Sequence, residues 1–118
     1  MATVNYTATD LKTQMCSLIT WPNLGNADVG QAYETKWHRD FCVTVVAPTY
    51  GSATIVLQGS NDGTNWVTLN DPQGNAISFT TGTPKLEQLL EVPRYIRPST
   101  SGGTGTDITV QLYGKGRE

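Results

Sequence analysis

The residues best suited to acid–base catalysis are few, and their arrangement does not predict a catalytic site. His38 is the only histidine in the 118 residues, and it stands between Trp37 and Arg39. A histidine that acts as a general base needs a nucleophile and an orienting group within hydrogen-bond reach, and no GxSxG sequence or paired cysteine supplies one. We therefore interpret His38 as an exposed residue at a loop or strand end, and we expect a protein that is not an enzyme.

Carboxylates are the next chemically capable group, and their surroundings favour turn capping over metal binding. Asp28, Asp62, Asp71 and Asp107 all lie in stretches that contain Gly, Asn or Pro, the residues typical of turns. Their spacing matches no EF-hand loop. The Gly-rich residues 102–105 lack the lysine and the following helix of a phosphate-binding loop. The sequence thus predicts no metal site and no cofactor.

Cysteine usage and charge restrict the classes of partner. Cys16 and Cys42 are the only cysteines, and because their separation fits no zinc or redox motif we expect buried, reduced thiols. The net charge is −2 and the eight Lys and Arg residues form no run, which argues against a nucleic-acid partner. No stretch approaches the ~20 apolar residues of a membrane helix, and the N-terminus lacks a secretory signal pattern. We therefore expect synthesis in a cytoplasm and no membrane partner.

Composition indicates a polar but weakly charged surface. Charged residues make up 15% of the chain, against about 25% in an average soluble protein. Thr, Ser, Asn, Gln and Gly take their place, which suits a sheet face and also suits packing against other proteins. A chain of this length forms one domain with a core of its own.

The strongest structural signal is a predicted β-hairpin at Gly59–Trp66, whose sequence is GSNDGTNW. The β-prone runs 53–58 and 67–69 flank it, and Asn, Asp and Gly tolerate the left-handed backbone angles of a reversal. We expect Gly63 to adopt a positive φ. Residues 71–75, with the sequence DPQGN, predict a second turn.

The remaining pattern predicts an all-β fold, namely a single antiparallel β-sandwich that is jelly-roll-like. Alternating apolar residues at 41–47 and 108–112 define inward faces, and turn signals every 8 to 12 residues separate seven or eight short strands. The residues between Leu86 and Val92 fit a short helix or an irregular strand, and strand is favoured.

Prolines set the expected ends of several strands. Pro22 is expected to stop a first strand at Ser17–Trp21. Pro93 and Pro98 confine Tyr95–Arg97 to a brief strand at a sheet edge, and residues 99–106 are expected to form a loop.

The N-terminal residues show no clean period, so we interpret residues 1–16 as an arm and residues 17–118 as the sandwich domain. An arm that lies on a neighbouring subunit would bury Val4, Tyr6 and Leu11 there. Trp21 and Trp37 lie at strand ends, where they either cap the sandwich or anchor a protein contact. These five residues are the candidate protein-contact residues.

Four pieces of sequence, in fixed order over residues 21–112, resemble a family of short structural proteins of tailed bacteriophages. They are Trp21-Pro22-Asn23-Leu24 with Asp28-Val29-Gly30, then Gln58–Trp66, then Leu69–Ala76, and lastly Pro93–Pro98 running into Gly102-Gly103 and Asp107–Val110. The family is that of the head decoration, or cement, proteins, which sit outside the capsid lattice and are often trimeric. The resemblance implies a homotrimer on the exterior of a virion, with the major capsid protein as its partner.

Two other functions remain open from the sequence. The hairpin motif also occurs in discoidin-like carbohydrate-binding sandwiches, so a sugar-binding module on a virion or cell surface is an alternative. Such a module would place two or three aromatic residues on one solvent-facing platform, drawn from Trp21, Tyr33, Trp37, Tyr50 and Tyr113. A head–tail or tail component of the virion is the other alternative.

Overall fold

A computed structural model describes residues 3–11, 16–35, 38–49, 53–80, 86–103 and 106–116. These residues form twelve strands: β1 (Thr3–Val4), β2 (Thr7–Leu11), β3 (Cys16–Leu24), β4 (Val29–Gly30), β5 (Tyr33–Glu34), β6 (His38–Thr49), β7 (Thr54–Ser60), β8 (Val67–Thr68), β9 (Ser78–Phe79), β10 (Leu86–Gln88), β11 (Tyr95–Ser101) and β12 (Asp107–Gly116). Within those ranges, no helix has the length and apolar character needed to cross a bilayer.

The strands form two sheets. The seven-stranded sheet has the order β1-β4-β11-β7-β8, with β5 also paired to β11 and β9 to β7. The five-stranded sheet has the order β10-β6-β12-β3-β2. Apart from the parallel pair β1–β4, the strand pairs are antiparallel. The predicted antiparallel β-sandwich is confirmed.

Alternating side chains from both sheets fill the space between them. Ile108, Val110 and Leu112 of β12 are buried, as are Ile55 and Leu57 of β7. Burial of such a side chain is worth about 1.5–3 kcal/mol relative to leaving it exposed. The inward faces predicted for residues 41–45 and 108–112 are therefore confirmed, while the side chain of Ala47 lies outside the described residues.

Three prolines lie inside strands, Pro22 in β3, Pro48 in β6 and Pro98 in β11, and the first and last of them correct the predicted strand ends. β3 continues through Pro22 to Leu24, because its neighbour β2 pairs only up to Thr20 and the missing N–H removes no bond on that side. β11 continues through Pro98 to Ser101 and lies centrally between β7 and β4, not at an edge. On the side opposite β7, β11 pairs with β5 up to Ile96 and with β4 at Ser99, so Pro98 falls where no ladder bond is required.

The described part of the predicted arm, residues 3–11, forms strands in both sheets. β1 pairs with β4, and β2 pairs with β3 from Thr7↔Thr20 to Leu11↔Cys16. The Gln31 amide donates to the Val4 carbonyl at 2.7 Å. The described part of the arm therefore pairs within its own chain. Its partners lie far away in the sequence, so no local periodicity signals these strands.

The crossover segment, residues 89–93, carries the chain from the five-stranded sheet to the seven-stranded sheet. It follows the short strand β10, which agrees with the favoured strand interpretation of this region. The Leu89 amide donates to Phe41 of β6, and the Leu90 amide donates to Asn70, which lies beyond β8. Leu89 is buried in the core. This segment therefore fastens the two sheets together beside the hairpin.

Candidate protein-contact surface

The predicted hairpin turn between β7 and β8 is organised around Asp62. Its Oδ1 accepts hydrogen bonds from the amides of Thr64 at 2.8 Å and Asn65 at 2.9 Å, and from the Ser60 hydroxyl at 2.9 Å. Its Oδ2 accepts one from the Asn65 side-chain amide at 2.7 Å. These bonds, the Asn65 amide foremost, lower the pKa of the Asp62 carboxyl below its ordinary value. Gly63 has φ +81°, as predicted.

The second predicted turn, residues 71–75, is also confirmed. It too is organised by an aspartate, Asp71, which is buried. Asp71 Oδ1 accepts hydrogen bonds from the amides of Gln73 and Asn75, both at 3.0 Å. The Gly74 amide donates to the Asp71 carbonyl at 2.9 Å. Both carboxylates therefore act as turn caps, in agreement with the structural interpretation from sequence.

A groove of about 430 Å³ separates the hairpin from the crossover segment. Glu91 braces it by accepting hydrogen bonds from both the backbone and side-chain amides of Asn70, each at 2.9 Å, and these contacts lower the pKa of the Glu91 carboxyl. Asn61 Oδ1 accepts a bond from the Arg94 amide at 3.3 Å on the other side. A side chain at Gly59 would collide with Pro93, so glycine allows this close packing. Asn61, Asn70 and Glu91 therefore use these polar groups for hydrogen bonds within the chain.

Four large apolar side chains are exposed in the part of the chain that the structure describes, and we call them the apolar rim: Val67, Leu86, Leu90 and Val92. Their exposed fractions are 70%, 69%, 55% and 37%. Three of them lie within β10 and the crossover segment, and Val67 lines the groove from the hairpin side. Leu90 and Val92 are the chain neighbours of Glu91, which also lines the groove. Contiguous exposed apolar surface is characteristic of protein–protein contacts.

A second surface lies on the outer face of the seven-stranded sheet, and we call it the stacked face: Gln58, Trp66, Arg94, Tyr95 and Arg97. The Arg97 guanidinium carbon lies 4.0 Å from the centre of the Trp66 ring, and its Nε donates to Gln58 Oε1 at 2.9 Å. Arg94 lies 5.0 Å from the centre of the Tyr95 ring and pairs with Glu34 Oε2 at 3.1 Å. Tryptophan, tyrosine and arginine are the residues most enriched at protein interfaces.

Three of the candidate contact residues predicted from sequence, Val4, Tyr6 and Trp21, lie in or against the core. Trp21 is 0% exposed, and its indole N–H donates to the Gln31 carbonyl at 2.9 Å. Tyr6 packs edge-on against Trp21 and Tyr33, with ring centres 6.1 and 5.4 Å away. Val4 also packs against the core. For Trp21, the structure shows an intramolecular role in the core, and β3 runs past it to Leu24.

The other two candidates are only partly described or not described. Leu11 ends β2, but its side chain lies outside the described residues, and so does the whole of Trp37. Of the aromatic residues expected on a sugar-binding platform, Trp21 and Tyr33 are buried and Tyr50 lies outside the description. Tyr113 is half-buried on β12 of the five-stranded sheet, whereas the ring of Trp66 lies on the seven-stranded sheet. The described members of that set therefore do not form a shared platform.

His38 and Trp66 lie in environments that the sequence did not predict. His38 is buried at the start of β6 between Tyr33 and Phe41, with ring centres 6.0 and 5.1 Å away, so its interpretation as an exposed residue is wrong. Trp66 begins the strand after the hairpin, where core packing is the default expectation, but it lies half-buried on the stacked face. Both predicted environments are wrong because neighbours in other strands determine which way a side chain at the end of a strand points.

The cysteines and the acidic side chains are the remaining groups that could take part in chemistry. Cys16 is buried and Cys42 is half-buried, and both are thiols. Burial raises the pKa of the Cys42 thiol above its ordinary value. Among the residues that the structure describes, no three His, Cys, Asp or Glu side chains are close enough to hold a metal ion.

Comparison with known proteins identifies a similar fold but no family. No protein-family model matches the chain, and no curated protein matches it. The crystal structure of the SPBc2 prophage-derived protein YomS is similar, with a TM-score of 0.63 and 11% sequence identity, over 89% of this chain and 98% of that chain. At this identity the likeness shows the fold.

Two further structures are similar only at low scores. A protein of Bacillus endospore appendages, described as a family of disulfide-linked pili, has a TM-score of 0.39 and 11% identity, over 96% of this chain and 91% of that chain. Chitosan-binding module 1 of a chitosanase/glucanase from Paenibacillus sp. IK-5 has a TM-score of 0.33 and 22% identity, over 92% and 74% of the two chains. Scores of this size indicate neither a shared topology nor a shared function.

Proposed function

We propose that this chain is a non-enzymatic structural protein of a bacteriophage particle, which decorates the outside of the head as a homotrimer and stabilises the lattice of the major capsid protein. The observation that carries the proposal is the apolar rim. The domain has a buried core of its own, yet it exposes Val67, Leu86, Leu90 and Val92. Val67 lines the groove, and Leu90 and Val92 are the chain neighbours of Glu91, which also lines it. That arrangement supports a protein whose rim is covered by another subunit.

Two independent likenesses support the phage assignment. Four sequence pieces over residues 21–112 resemble head decoration proteins. The fold is similar to that of YomS, a prophage-derived protein that this chain covers almost end to end. A sandwich of this size therefore occurs in a prophage-derived protein, which supports the proposal that this chain is a phage protein.

A trimer suits the mechanical task of a clamp. One small domain has limited contact area on a lattice, but in a symmetric trimer the second and third contacts become intramolecular once the first is made. Subunit contacts within obligate oligomers are more apolar than transient ones. We therefore assign the apolar rim to the contact between copies of the chain.

Removing the rim tests this assignment. We expect the double variant Leu90→Ser/Val92→Ser to bind particles assembled without this chain at least about tenfold more weakly than the wild type, because avidity is lost with the trimer. The measurement is co-sedimentation with heads, with bound protein counted against capsid protein. Leu18→Ser, which removes a half-buried apolar side chain on β3 of the five-stranded sheet, outside both the rim and the outer face of the seven-stranded sheet, is the matched control. The thermal melts of all three proteins establish folding.

Three results would overturn the proposal or part of it. Wild-type protein that does not sediment with heads contradicts the decoration role. Wild-type protein that binds only to tails assigns the chain to another virion component. A folded rim variant that binds heads as tightly as the wild type contradicts the assignment of the rim to the trimer.

A further inference from the structure

Arg97 is a cation that the sandwich orients but does not neutralise. It lies on the outer side of the central strand β11, between the buried residues Ile96 and Pro98. The ring of Trp66 covers one face of the guanidinium, and Gln58, a neutral residue, accepts the bond from Nε. In the part of the chain that the structure describes, no carboxylate pairs with Arg97. Burial lowers the pKa of Arg97, as expected for a partly desolvated charge without a counter-ion.

Arg94, three residues earlier, shows the opposite arrangement. It also stacks on an aromatic ring, that of Tyr95, but its Nε lies 3.1 Å from Glu34 Oε2. This bond raises the pKa of Arg94, and both side chains of the pair are about half exposed. The two arginines thus share one face, one type of stacking and one charge, but only Arg94 has a carboxylate partner.

We propose that the stacked face docks onto an acidic protein surface, with the Arg97 guanidinium receiving a carboxylate from that partner. Naming the head lattice as the partner rests on the proposed function above, whereas the carboxylate chemistry does not. This contact is distinct from the apolar rim, so the chain uses one surface for its own copies and another for attachment.

The geometry favours a carboxylate for two reasons. Stacking on Trp66 and the bond to Gln58 fix the guanidinium plane before the partner arrives, so little side-chain entropy is lost on binding. The nitrogens that are not engaged by Gln58 present the fork that matches the two oxygens of a carboxylate. Such arginine and tryptophan pairs are the usual sites of concentrated binding energy at interfaces.

Charge argues for an acidic protein rather than a nucleic acid. Binding to a phosphate backbone depends on many cations that together release counter-ions. This chain carries a net charge of −2, and the stacked face offers one unpaired arginine beside one that already has a partner. A single oriented guanidinium fits a local carboxylate on a folded surface.

The test compares Arg97→Gln with Arg94→Gln, which removes the same charge from the same face. Co-sedimentation with heads should show affinity at least about tenfold lower for Arg97→Gln and within about threefold of the wild type for Arg94→Gln. Arg97→Lys should also bind weakly, because lysine keeps the charge but loses the fork. Conversion of the carboxylates on the heads to amides should remove the difference between wild type and Arg97→Gln.

A second readout separates this inference from the proposed function. An oligoglutamate peptide should shift the NMR signal of the Trp66 indole N–H in the wild type and not in Arg97→Gln, and an oligolysine peptide should shift neither. If the wild type does not bind heads but responds to oligoglutamate in this way, the decoration role fails and the carboxylate site stands. The inference is overturned if Arg97→Gln binds heads like the wild type, or if oligoglutamate leaves the Trp66 signal unchanged.

Discussion

At the residue scale, the turn that joins β7 and β8 depends on two neighbours with different roles. Asp62 supplies acceptors for the amides of Thr64 and Asn65. Gly63 supplies a backbone angle, φ +81°, that other residues adopt only with strain. Neither side chain belongs to the apolar rim or the stacked face, so changes at both positions should affect folding separately from attachment.

Replacing Gly63 with valine should lower the free energy of unfolding by about 1–3 kcal/mol, because a β-branched residue is strained at positive φ. The added Cβ has room, since its nearest neighbour would be the Tyr95 ring at 3.5 Å, so the loss reports backbone strain rather than a clash. Thr64→Val, at the adjacent exposed position, is the control and should unfold like the wild type. Equal denaturation midpoints for Gly63→Val and the wild type would contradict the turn geometry.

The Asp62 carboxylate should make stability depend on acidity. Its folded-state pKa lies below the ordinary value of 3.8, so its contribution is present above about pH 4 and is lost as the pH falls through the lowered pKa. Asp62→Asn should therefore be less stable than the wild type at pH 7, and the gap should narrow in denaturation curves at pH 3 and pH 2. Asp107→Asn controls for the change in net charge. A gap that is constant or widens on acidification would contradict this role.

The sequence predicts correctly the roles of residues that depend on neighbours close to them in the chain. The positive φ of Gly63 and the capping by Asp62 and Asp71 follow from neighbours within four positions. The stacking of Trp66 on Arg97 was missed because it joins residues 31 positions apart in sequence, across the outer face of a sheet. A usable signal exists, since Arg97 alternates with the apolar Ile96 and must face outward once β11 is recognised as a strand.

At the scale of elements, the N-terminal segment ties the two sheets together. β1 belongs to the seven-stranded sheet and β2 to the five-stranded sheet, and Tyr6 lies between them against Trp21 and Tyr33. A segment that contributes to both layers is part of the fold.

Deleting residues 2–11 should therefore destabilise the domain severely, because β3 loses its edge partner and Trp21 loses its cover. Tyr6→Ala alone should lower the free energy of unfolding by about 2 kcal/mol, since half-buried aromatic contacts are removed. Thr9→Ala, an exposed change within β2, is the control. A truncated protein with the melting temperature of the full chain would contradict this role and would favour the interpretation of the segment as an arm that the sandwich does not need for folding.

At the scale of elements, the wrong predictions are mainly the strand ends that were placed at prolines. Pro22 and Pro98 lie inside β3 and β11 because each falls where one neighbouring strand has ended or has not yet begun. Sequence alone identifies a residue that cannot donate a hydrogen bond, but only the sheet order shows whether a donor is needed there. The two-residue strands β1 and β4 escape prediction for the same reason.

At the scale of the whole molecule, the fold class was accessible from sequence and the contact surfaces were not. Alternation in residues 41–45 and 108–112 predicts the inward faces of two central strands. The apolar rim, by contrast, consists of ordinary Leu and Val residues whose exposure no local pattern shows.

The most direct test of the decoration role is a cryo-electron microscopy reconstruction of the phage particle that carries this chain. We expect density for the sandwich on the outer surface of the head at local threefold positions, in groups of three, and no such density in particles assembled without the chain. Density confined to the tail or to the head–tail junction, or single copies away from any threefold position, would contradict the proposed function.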